Sequence, residues 1–266
     1  DGTGLYATSD LALARKKFKL FKIDRSINIT DVRQSQYFKQ LFRALKLSGF
    51  NQAMTHIGYE FVRLPEGAMA SRAGRVILYE DMRDEIILAA TEETKNRHPE
   101  WKSRKVNATA YALALAGLKF GMLKYDPGKV IVFDKKEALS FEGFTGPYLL
   151  YTMARMNSIL KKVKISKRSL DTKGLVVYLS SAQEKQLTLQ CLRLPEVVQS
   201  ATKNNNPSEL AQYAFKLCQL FASFYEQCSV LRAPDENTRN ARLRLVQSTL
   251  GVLEQSLKIL GIPLIK

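Results

Sequence analysis

Short alternating runs and longer helical patterns follow one another in the first third of the chain. Residues 27–30 read Ile-Asn-Ile-Thr, an alternation of period two that predicts a β-strand. A helix is predicted over residues 35–47, and residues 57–62 predict a second strand. The apolar positions of that helix share one side: Tyr37, Phe38, Leu41 and Leu45. Strand–helix–strand order is typical of a parallel sheet, so we expect part of an α/β fold here.

Helical patterns dominate the rest of the chain. After a loop at residues 65–74 and a short apolar run at 76–78, helices are predicted over 81–96 and 107–123, with a turn at Pro99 and Trp101 between them. Strand signals nearly vanish after Pro147. Asn206-Pro207-Ser208-Glu209 has the order of a helix start, with Asn as the cap. Two apolar stripes indicate core-facing helices: Leu210, Ala214, Leu217, Phe221 and Phe224, then Leu243, Val246, Leu250, Leu253, Leu257 and Leu260. The second part is therefore predicted to be an all-helical bundle.

The charge balance of the chain favours a polyanionic partner. The 266 residues include 41 Lys and Arg against 25 Asp and Glu, a net charge of +16. Nucleic acid is the commonest partner of such an excess, although a solvated basic surface has the same composition. Residues 160–173 hold six of these cations, which suit either a phosphate-facing patch or a solvated helix end.

Other features of the composition limit the possible classes of protein. Cys191, Cys218 and Cys228 have no metal-like spacing, so we interpret them as buried thiols in a reducing compartment, and we expect no metal site. No apolar run is expected to be long enough to span a bilayer. The chain opens on Asp1 in what resembles the middle of a fold, so we expect a fragment.

Residues 141–155, Phe-Glu-Gly-Phe-Thr-Gly-Pro-Tyr-Leu-Leu-Tyr-Thr-Met-Ala-Arg, are the most informative stretch. Gly143 and Gly146 permit turns, and Pro147 suits the first position of a helix. Four polar side chains then recur at three- and four-residue steps, which predicts one shared face: Tyr148, Tyr151, Thr152 and Arg155. Such a face could stack on bases and pair with phosphate; the alternative is that the tyrosines are half-buried core residues.

This stretch resembles the junction in arginyl-tRNA synthetases between the catalytic part and the helical anticodon-binding domain. The resemblance covers nearly the whole chain, with one departure at Leu150, where the family usually has Gln. It implies a fold of two parts: residues 1–140 as the C-terminal part of a Rossmann-like class I catalytic domain, and residues 141–266 as an all-α anticodon-binding bundle. It also implies that Tyr148, Tyr151 and Arg155 contact tRNA.

The resemblance also extends to an arginine pocket. Residues 1–10 resemble the family's arginine-binding stretch with Tyr6 and Asp10 in register, and the turn at residues 32–35 resembles the place where a Gln completes the pocket, which is Gln34. A carboxylate can accept two parallel N–H bonds from a guanidinium, which suits arginine. The alternative from the residues alone is that Asp10 caps a helix that begins at Leu11.

Two further segments resemble the family's ATP site. His56 and Gly58 resemble a His-x-x-x-Gly neighbourhood beside the adenine, with a shorter spacing, and a lone His in a strand is also a common structural residue. Residues 67–74 occupy the place of the Lys-Met-Ser-Lys loop: Met69, Ser71, Arg72 and Gly74 fit, and alanines stand where lysines are usual. The resemblance implies that Ser71 and Arg72 are catalytic and that this loop closes on ATP.

The implied function is ATP-dependent joining of arginine to the 3′ end of tRNA(Arg), with Mg²⁺ accompanying ATP, in the cytoplasm and without a membrane. The His-x-Gly-His motif of class I synthetases is missing, because His56 and His98 are the only histidines. Two alternatives therefore stay open: a non-catalytic tRNA-binding or assembly module, and one half of a split synthetase whose partner is the missing N-terminal half. A cysteinyl relative ranks last, because it would need zinc ligands.

Overall fold

The computed structural model describes residues 4–65, 78–162 and 174–265. The chain divides into two compact units, residues 1–63 with 127–131, and residues 64–126 with 132–266. This division differs from the expected domains, and the expected boundary at residue 140 stays a prediction.

The first unit is a small parallel α/β arrangement. Helix α1 (Tyr6–Phe21) is followed by strand β1 (Arg25–Asp31), a 3-10 turn (Val32–Gln34), helix α2 (Ser35–Leu47) and strand β2 (Ala53–Tyr59). β1 and β2 run parallel in the register Arg25 with Ala53 through Asp31 with Tyr59, which confirms the expected parallel pairing. The core of the unit combines one residue of α1 with three of α2: Ala14, Phe38, Leu41 and Leu45.

The expected strand over residues 57–62 is wrong in its bounds. β2 begins four residues earlier and ends at Tyr59, and the next strand, β3 (Val62–Arg63), is separate. Residues 53–59 read Ala-Met-Thr-His-Ile-Gly-Tyr, a run in which the two faces of the strand are not distinguished by polarity. The chain re-enters this unit near Pro127, whose carbonyl accepts the Glu60 N–H, and the Ile131 N–H donates to the Phe61 carbonyl.

The second unit is almost entirely helical. Strand β4 (Ile131–Val132) begins at the last residue of the first unit. The second unit contains α3 (Tyr79–Arg97), α4 (Ser103–Leu123), the short α5 (Lys135–Ala138) and α6 (Gly146–Lys162). After the 3-10 helix Leu175–Tyr178 come α7 (Ala182–Leu192), α8 (Leu194–Asn204), α9 (Ser208–Gln227) and α10 (Glu236–Ile259). All eleven residues of the two expected stripes are buried, which confirms the core faces of α9 and α10.

Helix α4 lies at the centre of the second unit and packs against α3 and α6. By length and composition alone this helix could cross a membrane, with a mean hydropathy of 1.3, so the expectation that no apolar run is long enough needs correction. Half of the stretch is buried inside the protein, and Ala110, Ala114 and Phe120 have no exposed surface. This burial is typical of a core helix.

The starts of α9 and α4 differ from the predicted starts, and the cysteines are free thiols. The cap position of α9 is Pro207, one residue after the expected Asn206, although the Asn206 side-chain oxygen accepts the Ser208 N–H. Glu209 accepts from the Asn204 side chain. α4 begins at Ser103, four residues before the expected start. Cys218 and Cys228 are buried and Cys191 is partly buried, and all three are free thiols.

Candidate functional site

In the first unit, Asp10 and Tyr37 form a hydrogen-bonded pair. The Tyr37 hydroxyl donates to Oδ2 of Asp10 at 2.7 Å, and the Tyr6 ring, one helical turn before Asp10, lies 5.2 Å from the Tyr37 ring between centroids. Burial, and then the bond to Asp10, raise the pKa of Tyr37, so the phenol stays protonated and donates. Because α1 begins at Tyr6, Asp10 lies inside the helix, and the alternative that it caps a helix at Leu11 is wrong.

The hydrogen bond from Tyr37 orients the carboxylate of Asp10. The bond from Tyr37 uses one carboxylate oxygen, and an ionised carboxylate has acceptor sites for several more hydrogen bonds. Asp10 is partly buried, whereas 66% of the Tyr6 surface is exposed. A planar cation could therefore approach the carboxylate along the Tyr6 ring, and a guanidinium suits both groups.

Gln34 lies at the turn that leads into α2, three residues before Tyr37. The Asp31 carboxylate accepts the backbone N–H of Arg33 at 2.8 Å and binds its guanidinium at the same distance, which stabilises the turn. The side-chain bond to Arg33 holds the pKa of Asp31 below its usual value. Gln34 itself is exposed. The start of α2 thus carries both Gln34 and Tyr37.

His56 and Gly58 lie on β2 and make close packing contacts. The His56 ring stacks on Phe38 with centroids 4.5 Å apart, and its Nε2 lies 2.8 Å from the Thr30 hydroxyl oxygen. Burial lowers the pKa of His56, so the ring is neutral at pH 7. A Cβ on Gly58 would lie 3.1 Å from Ser35 Oγ and from Val32 Cα. These contacts support a structural role for both residues, and their assignment to ATP stays a prediction.

The residues expected to form the ATP loop, Met69, Ser71, Arg72 and Gly74, lie outside the described residues. Of the basic segment at 160–173, Lys161 and Lys162 are exposed at the end of α6, and residues 163–173 also lie outside the described part.

In the second unit, Arg155 lies between two exposed tyrosines. Its guanidinium carbon is 4.9 Å from the Tyr151 ring centroid and 5.2 Å from that of Tyr225, and its Nη2 donates to the Tyr151 hydroxyl at 2.8 Å. Tyr151 is 45% exposed and Tyr225 is 42% exposed. Exposed aromatic rings can stack on RNA bases, and a guanidinium can bind a phosphate.

The expected four-residue face of α6 is only partly correct. Thr152 is buried and donates its hydroxyl to the Tyr148 carbonyl at 2.9 Å, so it faces the core. Tyr148 is half-buried against Phe215, and burial raises the pKa of its phenol. The core alternative therefore describes Tyr148 better than Tyr151, and the outward groups of this turn are Tyr151 and Arg155.

The loop that leads into α6 is held by Lys124. This lysine is 8% exposed and donates to the Glu137 carboxylate at 2.9 Å and to the Phe144 carbonyl at 3.2 Å. The Thr145 hydroxyl accepts the Tyr148 N–H at 3.3 Å, at the start of the helix. A Cβ on Gly146 would lie 2.1 Å from the Ala116 carbonyl oxygen, so only glycine lets α6 approach α4 this closely. The position of Tyr151 and Arg155 is therefore set by buried contacts.

Sequence reasoning missed two residues of these sites, Tyr37 and Tyr225. The spacing within residues 35–47 places Tyr37 among the apolar positions of the helix, and its hydroxyl gives no separate signal. Tyr225 is separated from Arg155 by 70 positions, so no local pattern relates them.

Two family models together match most of the chain. The model described as "tRNA synthetases class I (R), catalytic domain" matches residues 1–134, and "DALR anticodon binding domain" matches residues 149–266. The chain belongs to the class I arginyl-tRNA synthetase family. The resemblance inferred from the sequence, and the fold class that it implies, are confirmed.

Curated relatives and a solved structure of the arginyl-tRNA synthetase family agree with this assignment. The arginine–tRNA ligase of Bdellovibrio bacteriovorus is 37% identical over 99% of this chain and 45% of its own length. That of Clostridium acetobutylicum is 34% identical over 100% of this chain and 46% of its own length. The arginyl-tRNA synthetase of Thermus thermophilus superposes with a TM-score of 0.87 at 29% identity, over 98% of this chain and 49% of that chain. The chain thus spans about half the length of the relatives it matches.

Proposed function

We propose that this chain is part of an arginine–tRNA ligase. In the proposed reaction, the carboxylate of arginine takes the adenylyl group from ATP with release of pyrophosphate. The 3′ hydroxyl of tRNA(Arg) then takes the arginyl group with release of AMP. Residues 1–140 would contribute the later part of the catalytic domain, and residues 141–266 the anticodon-binding domain.

The observation that carries the arginine assignment is the bond from Tyr37 to Asp10 beside the Tyr6 ring. It gives a carboxylate of fixed direction with an aromatic ring next to it, and both groups can bind a guanidinium. We propose that Asp10 binds the guanidinium of arginine, that Tyr6 packs on it, and that Gln34 adds a polar contact from the start of α2.

The tRNA assignment is supported by the exposed face of α6 and by the net charge of +16. We propose that Tyr151 stacks on a base near the anticodon and that Arg155 binds phosphate, since both side chains reach solvent and hold each other in place. Tyr148 would contribute mainly by packing beneath this face, because it is half-buried.

We propose that ATP is bound beside His56 and Gly58 and by the loop with Met69, Ser71, Arg72 and Gly74, in which Ser71 and Arg72 would be catalytic. A cation in this loop would stabilise the charge that develops on the phosphates. Mg²⁺ would accompany the nucleotide, and we assign it no protein ligands. The proposed location is the cytoplasm.

We also propose a second arrangement to be tested, in which residues 1–266 act together with a separate chain that carries the remaining half of the enzyme. Arginine-dependent ATP–pyrophosphate exchange distinguishes a purely tRNA-binding module from a two-part enzyme. Exchange by the 266-residue chain alone would exclude a purely tRNA-binding module. Exchange that appears only after mixing with the remaining half of the Bdellovibrio relative would support the two-part enzyme.

The site residues are tested in the complete enzyme. Asp10→Ala should abolish exchange with arginine while the affinity for tRNA(Arg) stays within about twofold, because Asp10 is assigned only to the amino acid. Arg155→Gln should weaken the binding of tRNA(Arg) and leave ATP–pyrophosphate exchange with arginine nearly unchanged. An equal loss of exchange and of tRNA affinity in Asp10→Ala would contradict the role given to Asp10.

A further inference from the structure

Arg97, the last residue of α3, is joined to the α6 face through an aromatic ring. Its guanidinium carbon lies 4.6 Å from the centroid of Phe141, and the Phe141 ring meets Tyr151 edge-on, with centroids 6.4 Å apart. Tyr151 in turn bonds Arg155. Two guanidinium groups therefore flank two aromatic rings in a continuous set of contacts within the second unit.

We propose that Arg97 binds a backbone phosphate of the RNA that lies on the α6 face. This inference rests on the proposed tRNA-binding function and extends it to a residue outside the 141–155 stretch. The ligand is the phosphodiester of a folded RNA, which a guanidinium binds with paired N–H donors.

The arrangement of Arg97 suits an ordered phosphate contact. Its side chain is 54% exposed, so its outer donors reach solvent, while stacking on Phe141 limits its freedom in the absence of ligand. The Nε–H is used by the Glu93 carboxylate at 2.5 Å, and a guanidinium has four further N–H donors on its two terminal nitrogens. Glu93 also opposes the charge of Arg97, so removing Glu93 should strengthen the contact.

The same helix provides a matched control in Arg83. This residue also binds a neighbouring carboxylate, Asp84, at 2.7 Å, and it also lies over an aromatic ring, Tyr79, at 5.9 Å. The ring under Arg83 belongs to its own helix, however, whereas the ring under Arg97 belongs to the loop that leads into α6. Equal changes of charge at the two positions therefore separate a local contact from a general effect of net charge.

The experiment measures binding of a labelled tRNA(Arg) transcript to the 266-residue chain by fluorescence anisotropy at a series of salt concentrations. Arg97→Gln should weaken binding about fivefold near 0.1 M salt and reduce the slope of log K against log salt by about 0.7–0.9, the value for one lost phosphate contact. Arg83→Gln should change the affinity less than about twofold. Circular dichroism confirms that both variants are folded.

A gain of affinity is the complementary test, because unfolding cannot produce it. Glu93→Gln should tighten binding about threefold, and more than Asp84→Asn, which changes the net charge equally. Equal effects of Arg97→Gln and Arg83→Gln, or of Glu93→Gln and Asp84→Asn, would overturn the role of Arg97 and leave the α6 face intact. Absence of tRNA binding by the unmodified chain would instead overturn the proposed tRNA contact itself.

Discussion

The Tyr37 hydroxyl donates a 2.7 Å hydrogen bond to the Asp10 carboxylate, and this bond joins the first turn of α2 to the second turn of α1. Tyr37→Phe keeps the ring beside Tyr6 and removes the donor. Because a hydrogen bond to a charged group contributes about 1.5–3 kcal/mol, we expect the KM for arginine to rise about tenfold or more while the KM for ATP is unchanged.

Pyrophosphate exchange by the complete enzyme provides both KM values. Tyr59→Phe is a suitable control, because this tyrosine lies on β2 of the same unit and is 49% exposed. The same KM for arginine in Tyr37→Phe and the unmodified enzyme would show that the bond does not position Asp10 for its substrate.

Tyr151 is predicted to stack on a base. Tyr151→Ala should weaken binding of tRNA(Arg) about tenfold, since base–aromatic stacking contributes about 1–3 kcal/mol per base. Tyr111→Ala on α4 removes a ring of similar exposure, 50%, and should leave the affinity unchanged. Tyr151→Phe separates the two roles of the residue, because it keeps the ring and loses the bond to Arg155. Anisotropy titrations measure all three, and equal losses at positions 111 and 151 would argue against a defined site.

Gly146 and Gly251 should respond oppositely to alanine. At Gly146 the new Cβ would lie 2.1 Å from the Ala116 carbonyl oxygen, so the backbone must shift, and we expect a loss of about 2 kcal/mol or more in the free energy of unfolding. At Gly251, inside α10, nothing lies within 4 Å of the new atom, so Ala should stabilise by about 0.5–1 kcal/mol. Urea unfolding measures both, and equal stability of the two variants would contradict the close approach of α6 to α4.

Glu184 and Arg242 form a buried ion pair between α7 and α10. Nε of Arg242 donates to Oε1 of Glu184 at 2.6 Å, and Glu184 has no exposed surface. Arg242→Met leaves this carboxylate without its cation, so we expect the free energy of unfolding to fall by about 3–5 kcal/mol. Arg239→Met, whose partner Glu236 is largely exposed, should cost less than about 1 kcal/mol. A small effect at Arg242 in urea unfolding would mean that water replaces the guanidinium.

His56 should make stability depend on pH. Burial lowers its pKa in the folded protein, so the unfolded chain takes up the proton more readily, and stability is highest above the unfolded pKa of about 6.5. It should fall as the pH drops from 7 towards 5. His56→Gln removes this titration, so the difference in stability between pH 7 and pH 5.5 should be smaller than in the unmodified chain. Unfolding midpoints at the two pH values test this, and identical pH dependence would exclude His56 as the source.

Local spacing predicted the elements that bury one face. α2, α9 and α10 carry apolar residues at helical steps, because their opposite sides face water, and the structure agrees with those stripes. The start of α1 was not predicted: Leu5 at its N-cap makes no side-chain capping bond, so the sequence lacks the usual signal.

The candidate sites were harder to predict because they depend on contacts between distant positions. The family resemblance indicated Tyr6 and Asp10, but only folding brings Tyr37 to Asp10 across 27 positions. On α6, the four-residue face was wrong at Thr152, since the helix is buried on more of its circumference than the tyrosine spacing indicated. Tyr225 and Arg97 come from other helices, and no pattern within residues 141–155 encodes them.

The outer surface of β1 affects how the purified chain should behave. Ile27 and Ile29 are 46% and 65% exposed on a parallel strand, an element that proteins normally cover on both faces, and Leu20 and Phe21 at the end of α1 are also exposed. Proteins that expose apolar side chains in this way tend to self-associate as their concentration rises. Light scattering across a dilution series should therefore accompany every titration, so that homotypic aggregates are not mistaken for ligand uptake.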